Sequence, residues 1–314
     1  MSKKLYLGID MGGTNIKIAI VNSEGVIVEE TVIKTDLGQT PVKVIRDIAA
    51  QACSLKNYPK TKSIGIGIAG DINSAEGIVR FSPNIPKWKN VKLKRIMEKL
   101  TGRKVFVDND ANTAAIGAFW LDAKGKSDNL ICVTLGTGVG GGLIFNKKLY
   151  RGATCTAGEI GHMTIEPLGQ KCKCGSRGCA EAYVGAKYIS AYARKYLLGR
   201  GSKIIDKLTS GDHSKITPKI LYEAAAKGDK AAAEIWKYAG QKLGILLAGI
   251  LNFANPDTVI LCGGVSLAGK FIISPLKKEM EKRAFKSALT ACRLKVSRYT
   301  SKLGVVGAAM LVNQ

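Results

Sequence analysis

Short apolar runs separated by glycine turns open the chain. Residues 5–10 form a strand by their apolar run, closed by Asp10, the turn at 11–15 carries two glycines and a threonine, and 16–21 alternates as a second strand. Residues 22–25 turn the chain again, and 26–34 predict a third strand. Helical spacing takes over at 41–55, where Val44, Ile45, Ile48, Ala49 and Ala52 fall on one face. A buried strand at 63–69 follows, its glycines admitting close backbone approach. Next come a helix at 93–100, a strand at 104–108 and a helix that opens at Asp110 and runs through 111–120. The opening pattern then recurs as a strand at 129–135, a Gly136-Thr137-Gly138 turn and a returning strand at 142–145. Two such units predict two similar halves facing each other. The later chain is helical over 218–255, then gives a strand at 258–264 ending in Gly263 and Gly264, and a closing helix at 304–312.

The 314 residues correspond to about two domains, and 46% hydrophobic with 23% charged residues excludes a disordered chain. The longest apolar stretch, 243–254, is too short and too glycine-broken to span a bilayer. The first residues run straight into a strand without a secretory core, so a soluble, cytoplasmic protein with no membrane partner is expected. Subtracting 24 acidic from 48 basic residues leaves a net charge of +24. The bases are dispersed, and the densest region, 277–302, interleaves them with Glu279 and Glu281. No helix-turn-helix, RNA-recognition aromatics or basic tail is evident, so a solvated basic surface is expected and a nucleic-acid partner is not. Such a surface draws in anionic nucleotides.

A turn of Gly12, Gly13 and Thr14 between strands collects backbone N–H groups and a hydroxyl at one point, which suits a phosphate. Asp10 ends the first strand there and could hold the waters of a phosphate-bound Mg²⁺. Either turn alone reads as a plain hairpin. The repeat at Gly136, Thr137 and Gly138, with Gly263 and Gly264 after a third strand, points to a nucleoside triphosphate. Two rival motifs fail on context. Gly125-Lys126-Ser127 lacks the first glycine of a P-loop, since Trp120 stands there; Gly136, Gly138 and Gly141 precede a strand where a dinucleotide motif needs a helix.

Asp108, Asn109 and Asp110 stand where a strand stops and a helix starts. Asp110 there is a helix cap, a carboxylate base taking a proton from an alcohol that attacks a γ-phosphate, or both. Asn109 would hydrogen-bond a neighbouring hydroxyl. Cys172, Cys174 and Cys179 lie on a glycine-rich loop ten residues beyond His162, the donor set of a closed, structural Cys₃His zinc site. Glu159 and Glu181 flank it and would be drawn together by the metal; with the free N–H of His162 they suit a polyol. Cys53, Cys132, Cys155, Cys262 and Cys292 read as reduced core thiols, and His213 as an exposed loop residue.

These motifs together resemble the ROK family (repressors, open reading frames, kinases) of the actin-like and hexokinase-like superfamily, and within it bacterial glucokinases most closely. Asp10-Met-Gly-Gly-Thr-Asn15 is similar to the first phosphate motif, Leu135-Gly-Thr-Gly-Val-Gly-Gly-Gly142 to the second, and 158–162 with 172–181 to the zinc and sugar motif. The resemblance implies an α/β, two-lobed actin-like ATPase fold with a central cleft. The smaller N-terminal lobe would comprise 1–116 plus 302–314, and the larger C-terminal lobe 117–301 with the zinc loop at 162–181. It implies an ATP-dependent hexose kinase that phosphorylates the 6-hydroxyl, of glucose in the first instance, with Asp110 as base. Asn84, Asn109, Asp110, Glu159, His162 and Glu181 would bind the sugar, Asp10, Gly12, Gly13, Thr14, Asn15, Gly136, Thr137 and Gly138 the phosphates, and Gly263 and Gly264 would lie near the adenosine. ATP, Mg²⁺ and structural Zn²⁺, and a homodimer or homotetramer, follow from it.

Two departures stand out. The family often has Pro-Gly-Trp where this chain has Pro86-Lys87-Trp88, and a Glu-Ala pair where Ser301-Lys302-Leu303 stands. A strand beginning by Leu5 leaves no room for the regulators' N-terminal DNA-binding element. The alternatives are a non-catalytic sugar-responsive regulator or a ROK kinase for fructose, allose or N-acetylmannosamine. An actin-type assembly protein has no reason to carry the cysteine loop. The phosphoryl donor (ATP, another nucleotide or polyphosphate) stays open.

Overall fold

The computed structural model describes residues 3–83, 85 and 87–314. The N-terminal strands are β1 (Leu5–Met11), β2 (Asn15–Asn22), β3 (Ile27–Lys34), β4 (Thr61–Ile68), the short β5 (Asp71–Asn73), β6 (Ile78–Phe81) and β7 (Lys89–Val91), and β8 (Lys104–Asn109). Five of them form a sheet in the order β3-β2-β1-β4-β8, antiparallel from β3 to β1 and parallel from β1 to β8. The remaining three make a small antiparallel sheet. The later strands are β9 (Leu130–Leu135), β10 (Val139–Phe145), β11 (Lys148–Tyr150), β12 (Thr258–Cys262) and β13 (Arg293–Val296). Their order, β11-β10-β9-β12-β13, repeats that of the first sheet, as the recurring strand–glycine–strand pattern predicts.

The helices are α1 (Pro41–Cys53), α2 (Leu93–Thr101), α3 (Asp110–Leu121), α4 (Glu181–Val184), α5 (Ala186–Leu197), α6 (Lys203–Thr209), α7 (Pro218–Ala226), α8 (Lys230–Ala254), α9 (Lys270–Arg283), α10 (Lys286–Ala291) and α11 (Leu303–Ala309). Helix α1 starts where expected, because Thr40 accepts from the Lys43 N–H and Pro41 fits the first turn. The helical stretch at 218–255 is two helices. Gly228 breaks it at φ 88°, and Asp229 caps α8 by accepting from Ala232.

The described residues up to Cys132, with Gly142–Gly158 and Ser297–Gln314, form one compact unit; Val133–Gly141 and Glu159–Val296 form a second. This grouping places 117–132, 142–158 and 297–301 with the N-terminal strands; the division implied by the family resemblance puts them in the C-terminal lobe. In the first unit, Leu7, Ile9, Ile18, Ile20, Ile64 and Ile66 are fully buried against Val44, Ile45 and Ile48 of α1 and Met97 of α2. On the other face α11 lies directly on the sheet. A Cβ at Gly65 would overlap the Ala308 carbonyl, and one at Gly307 would overlap the Thr113 carbonyl of α3. In the second unit, α8 buries Trp236, Leu243, Leu247 and Leu251, and every residue of β12 is buried. Among the described residues no helix is long and apolar enough to cross a membrane.

Candidate active site

The first glycine turn is tied at both ends. Gly12 N–H donates to the Asn15 carbonyl (3.0 Å), Thr35 Oγ1 donates to the Gly12 carbonyl (2.8 Å) and Thr35 N–H donates to the Thr14 carbonyl (3.0 Å). Thr35, just past β3, carries no sequence signal for this role. Asp10, the penultimate residue of β1, has its carboxylate against the backbone of Gly304 at the start of α11. Burial pushes its carboxyl up, against the opposing pull of Lys17, its register partner on β2. A half-buried carboxylate whose ionised form burial disfavours has the oxygen chemistry that a hard divalent cation satisfies.

At the end of β8 the capping expected of Asp110 is shared with its neighbour. The α3 cap is Asn109, whose Oδ1 accepts from Ala111 N–H at 2.8 Å, and Asp110 is the first helical residue, its Oδ1 sharing that same N–H at 2.9 Å. Asn109 Nδ2 donates to the Gly70 carbonyl at 3.0 Å, so both ends of its amide serve the fold, leaving one N–H and one lone pair for a ligand. The Asp110 carboxylate is half-buried and held within the first turn of α3. Beneath it lies Asp108, a residue with no role assigned from the sequence and 1% exposed. Asp108 Oδ1 accepts from Asn109 N–H and Asn112 Nδ2, each at 2.8 Å, and Oδ2 pairs with Arg151 Nε at 2.7 Å. A charge closing a buried strand is the signal that marks it. Asn84 lies outside the described residues.

In the second unit the other two glycine turns meet. Gly263, at φ 93°, closes β12 so tightly on β9 that a Cβ there would overlap the Leu135 carbonyl, next to Gly136. Ser266 N–H and Oγ both donate to the Gly263 carbonyl, and Gly264 begins this short helical turn. At the Gly136-Thr137-Gly138 turn, Gly136 N–H donates to the Gly138 carbonyl (3.0 Å), and Ala186 N–H, at the start of α5, donates to the Gly136 carbonyl (2.9 Å). Glu181 completes it: Oε2 accepts from Val139 N–H at 2.9 Å, and a Cβ on Gly138 would overlap that oxygen. The family resemblance implies a sugar role for Glu181 and no contact with this turn. Its contact with the phosphate-type turn, 42 residues away, has no local signature.

The loop leading to Glu181 brings His162, Cys172, Cys174 and Cys179 together, with their donor atoms all within 4.8 Å of one another. Cys172 Sγ is 3.8 Å from His162 Nδ1, and Cys174 Sγ is 3.6 Å from Cys179 Sγ. Tetrahedral zinc with bonds of about 2.0–2.3 Å sets its donors about 3.6–3.8 Å apart, so the donor set fits. Burial first, and then the Cys174 and Cys172 thiols, push Cys179 up to about 12, while the Ser176 backbone N–H pulls Cys174 down. Crowded thiols in which ionisation of one opposes that of the next need a cation to deprotonate together. Gly175 (φ 98°) and Gly178 (φ 72°) supply the left-handed turns expected of the loop. His162 Nε2, the nitrogen away from Cys172, is 3.9 Å from Glu159 Oε2. The two flanking glutamates thus go to different partners, Glu159 to His162 and Glu181 to the glycine turn.

Behind the loop, Glu166 pairs with Lys242 (2.9 Å), whose ammonium lies over the Tyr183 and Tyr238 rings, and Tyr183 Oη accepts from Gln170 N–H. Of the other cysteines, Cys132 and Cys262 are buried, Cys155 and Cys292 are half-buried, and Cys53 is exposed because it ends α1 off the apolar face. His213 is one-third exposed and pairs with Asp206 at 2.7 Å.

Residues 6–314 match the ROK family. A glucokinase of Thermotoga maritima is 34% identical over 314 residues, covering all of this chain and 99% of that protein. A xylose repressor of Caldicellulosiruptor bescii is 31% identical, covering 98% of this chain and 77% of the repressor. Among solved structures, a ROK family glucokinase from Streptomyces griseus in complex with glucose and AMPPNP superposes with a TM-score of 0.81 at 33% identity, with 98% of each chain covered.

Proposed function

Because this chain belongs to the ROK family, we propose that it is a hexose kinase that transfers the γ-phosphoryl group of ATP to the 6-hydroxyl of glucose. The observation that carries this reading is the set of three turns, at Gly12, Gly138 and Gly263, together with a half-buried Asp110 fixed by the first turn of α3. Backbone N–H groups collected at such turns stabilise charge on transferring phosphoryl oxygens without reorganising. The glucokinase and nucleotide-bound relatives support the same chemistry.

In this reading Asp110 takes the proton of the 6-hydroxyl as that oxygen attacks the γ-phosphorus. Asn84, Asn109, Glu159, His162 and Glu181 hydrogen-bond the remaining hydroxyls. His162 Nε2, turned away from the thiols and 3.9 Å from Glu159 Oε2, donates to one of them. Gly12, Gly13, Thr14 and Asn15, with Gly136, Thr137 and Gly138, hold the phosphates, and Gly263 and Gly264 border the adenosine. Asp10 would hold, through waters, the Mg²⁺ that neutralises the phosphates. His162, Cys172, Cys174 and Cys179 would hold a structural Zn²⁺ that fixes the loop carrying Glu181. This reading makes the protein cytoplasmic and a homodimer or homotetramer.

The repressor relative supports a second reading, a sugar-responsive regulator without turnover. A coupled assay with ATP across glucose, fructose, allose and N-acetylmannosamine, with ³¹P and ¹³C NMR of the product, separates them. The kinase reading requires ATP-dependent formation of a hexose 6-phosphate. Sugar binding with no phosphorylated product from any sugar supports the regulator.

A further inference from the structure

Helices α1 and α2 and the segment from Lys87 through β7 wall a cavity of about 600 Å³ that shares no lining residue with the three glycine turns. Six cations line it: Arg46 from α1, Lys87, Lys89 and Lys92 from the β7 side, and Arg95 and Lys99 from α2. No carboxylate does. The acids of α1 and α2, and Asp36 in the loop before α1, are engaged elsewhere. Asp47 pairs with Lys43, Glu98 accepts from Val105 N–H, and Asp36 accepts from Gly38 N–H. Among the described residues none of the six cations is ion-paired, and Lys87 Nζ donates to the Gly38 carbonyl.

Unpaired like charges held around one cavity repel. Arg95 and Lys99 stand one helical turn apart on α2, the spacing at which like charges destabilise a helix. An anion with several charges relieves this, and a single small one reaches few of them. Lys92, Arg95 and Lys99 extend over roughly 10 Å of helix at 1.5 Å per residue, a row rather than a point. Between the cations lie Val42, Val91, Ile96 and Leu100, with Val42 and Leu100 more than 40% exposed.

We propose that this groove is a second anion site that takes a chain of two or more linked phosphates. The source of that chain is a nucleotide, whose base would cover Val42, Ile96 and Leu100, or an inorganic polyphosphate, which would use the cations alone. The site stands on its own geometry and does not depend on the kinase reading.

Calorimetric titration of tripolyphosphate at low salt into the wild-type protein and into R95Q/K99Q tests it. Both substituted residues are exposed and outside the proposed kinase machinery, and a melting temperature equal to or above that of the wild type, as relief of the Arg95–Lys99 repulsion allows, checks the fold. The wild type should show a binding event of one equivalent that weakens about tenfold or more in the double variant, since each lost contact is a hydrogen bond to a charged group. Arg46→Gln, from the facing wall, should weaken the same event, and raised salt should erase it. Any binding at the glycine turns stays equal in all variants. ADP that loses one equivalent in R95Q/K99Q assigns a nucleotide; ADP stoichiometry that is unchanged, beside the lost tripolyphosphate event, assigns inorganic polyphosphate. Superimposable tripolyphosphate isotherms for wild type and both variants overturn the proposal.

Discussion

Glu181 ends the cysteine loop and accepts from Val139 N–H with Oε2 at 2.9 Å, so one carboxylate belongs both to the proposed sugar set and to the second glycine turn. Glu181→Ala removes the acceptor while leaving Gly136, Thr137 and Gly138 in place. A hydrogen bond to an ionised group contributes about 1.5–3 kcal/mol, and partial exposure of Glu181 puts this one at about 1–2 kcal/mol. If the nucleotide's phosphates need the turn in its present shape, that loss appears as a nucleotide affinity weaker by about 5–30-fold. Glu181→Gln keeps a neutral acceptor and should lose about 3–5-fold, because neutral hydrogen bonds are roughly half as strong. The assay is calorimetric titration of a non-hydrolysable ATP analogue in the absence of sugar. Sugar-free conditions are decisive, since a residue that only touches sugar cannot move that number. An unchanged nucleotide affinity in Glu181→Ala, beside a weakened sugar affinity, would place Glu181 with the sugar alone and overturn its role at the turn.

Three further outcomes follow from the geometry. Asp108→Ala leaves Asn112 Nδ2, Asn109 N–H and Arg151 Nε without their acceptor; Arg151 is partly solvated, so urea denaturation should show a loss of about 2–4 kcal/mol. Asp10 has a folded carboxyl raised by burial, so its ionised form opposes folding above that folded value and the penalty fades as pH falls through it. Asp10→Asn should therefore melt higher than wild type at neutral pH, with the gap closing in acid, while catalysis is lost; a lower neutral melting temperature contradicts this. Chelation of the Cys₃His site should lower the melting temperature and release about one zinc per chain, with Cys179→Ser giving the same shift and no further effect of chelator.

The parts that were legible in the sequence are those with local signals. The hairpin around Gly12, the buried β4, the strand-to-helix step at Asp110 and the cysteine loop each occupy a short window whose spacing fixes the element. The repeated glycine turn showed the duplication that the two matching sheet orders display. What escaped depends on partners far along the chain. Asp108 meets Arg151 and Glu181 meets Val139 across more than forty residues, and neither pairing leaves a mark in its own window. The sheet of β5, β6 and β7 is three to four residues per strand, too short for a period to register. At Lys87 the departure from the family's Pro-Gly-Trp has a conformational cost: the lysine adopts φ 76°, a left-handed conformation worth about 1–2 kcal/mol of strain for a residue with a Cβ.

In the proposed reaction the Asp110 carboxylate acts as the base in phosphoryl transfer to a sugar hydroxyl. The direct measurement is kcat for Asp110→Asn with ATP and glucose, taken together with calorimetric affinities for glucose and a nucleotide analogue. Loss of the base lowers kcat by about 10²–10⁴-fold, the range of general-base contributions, with nucleotide affinity unchanged and glucose affinity changed only modestly. A variant that binds both ligands and turns over within tenfold of wild type contradicts it.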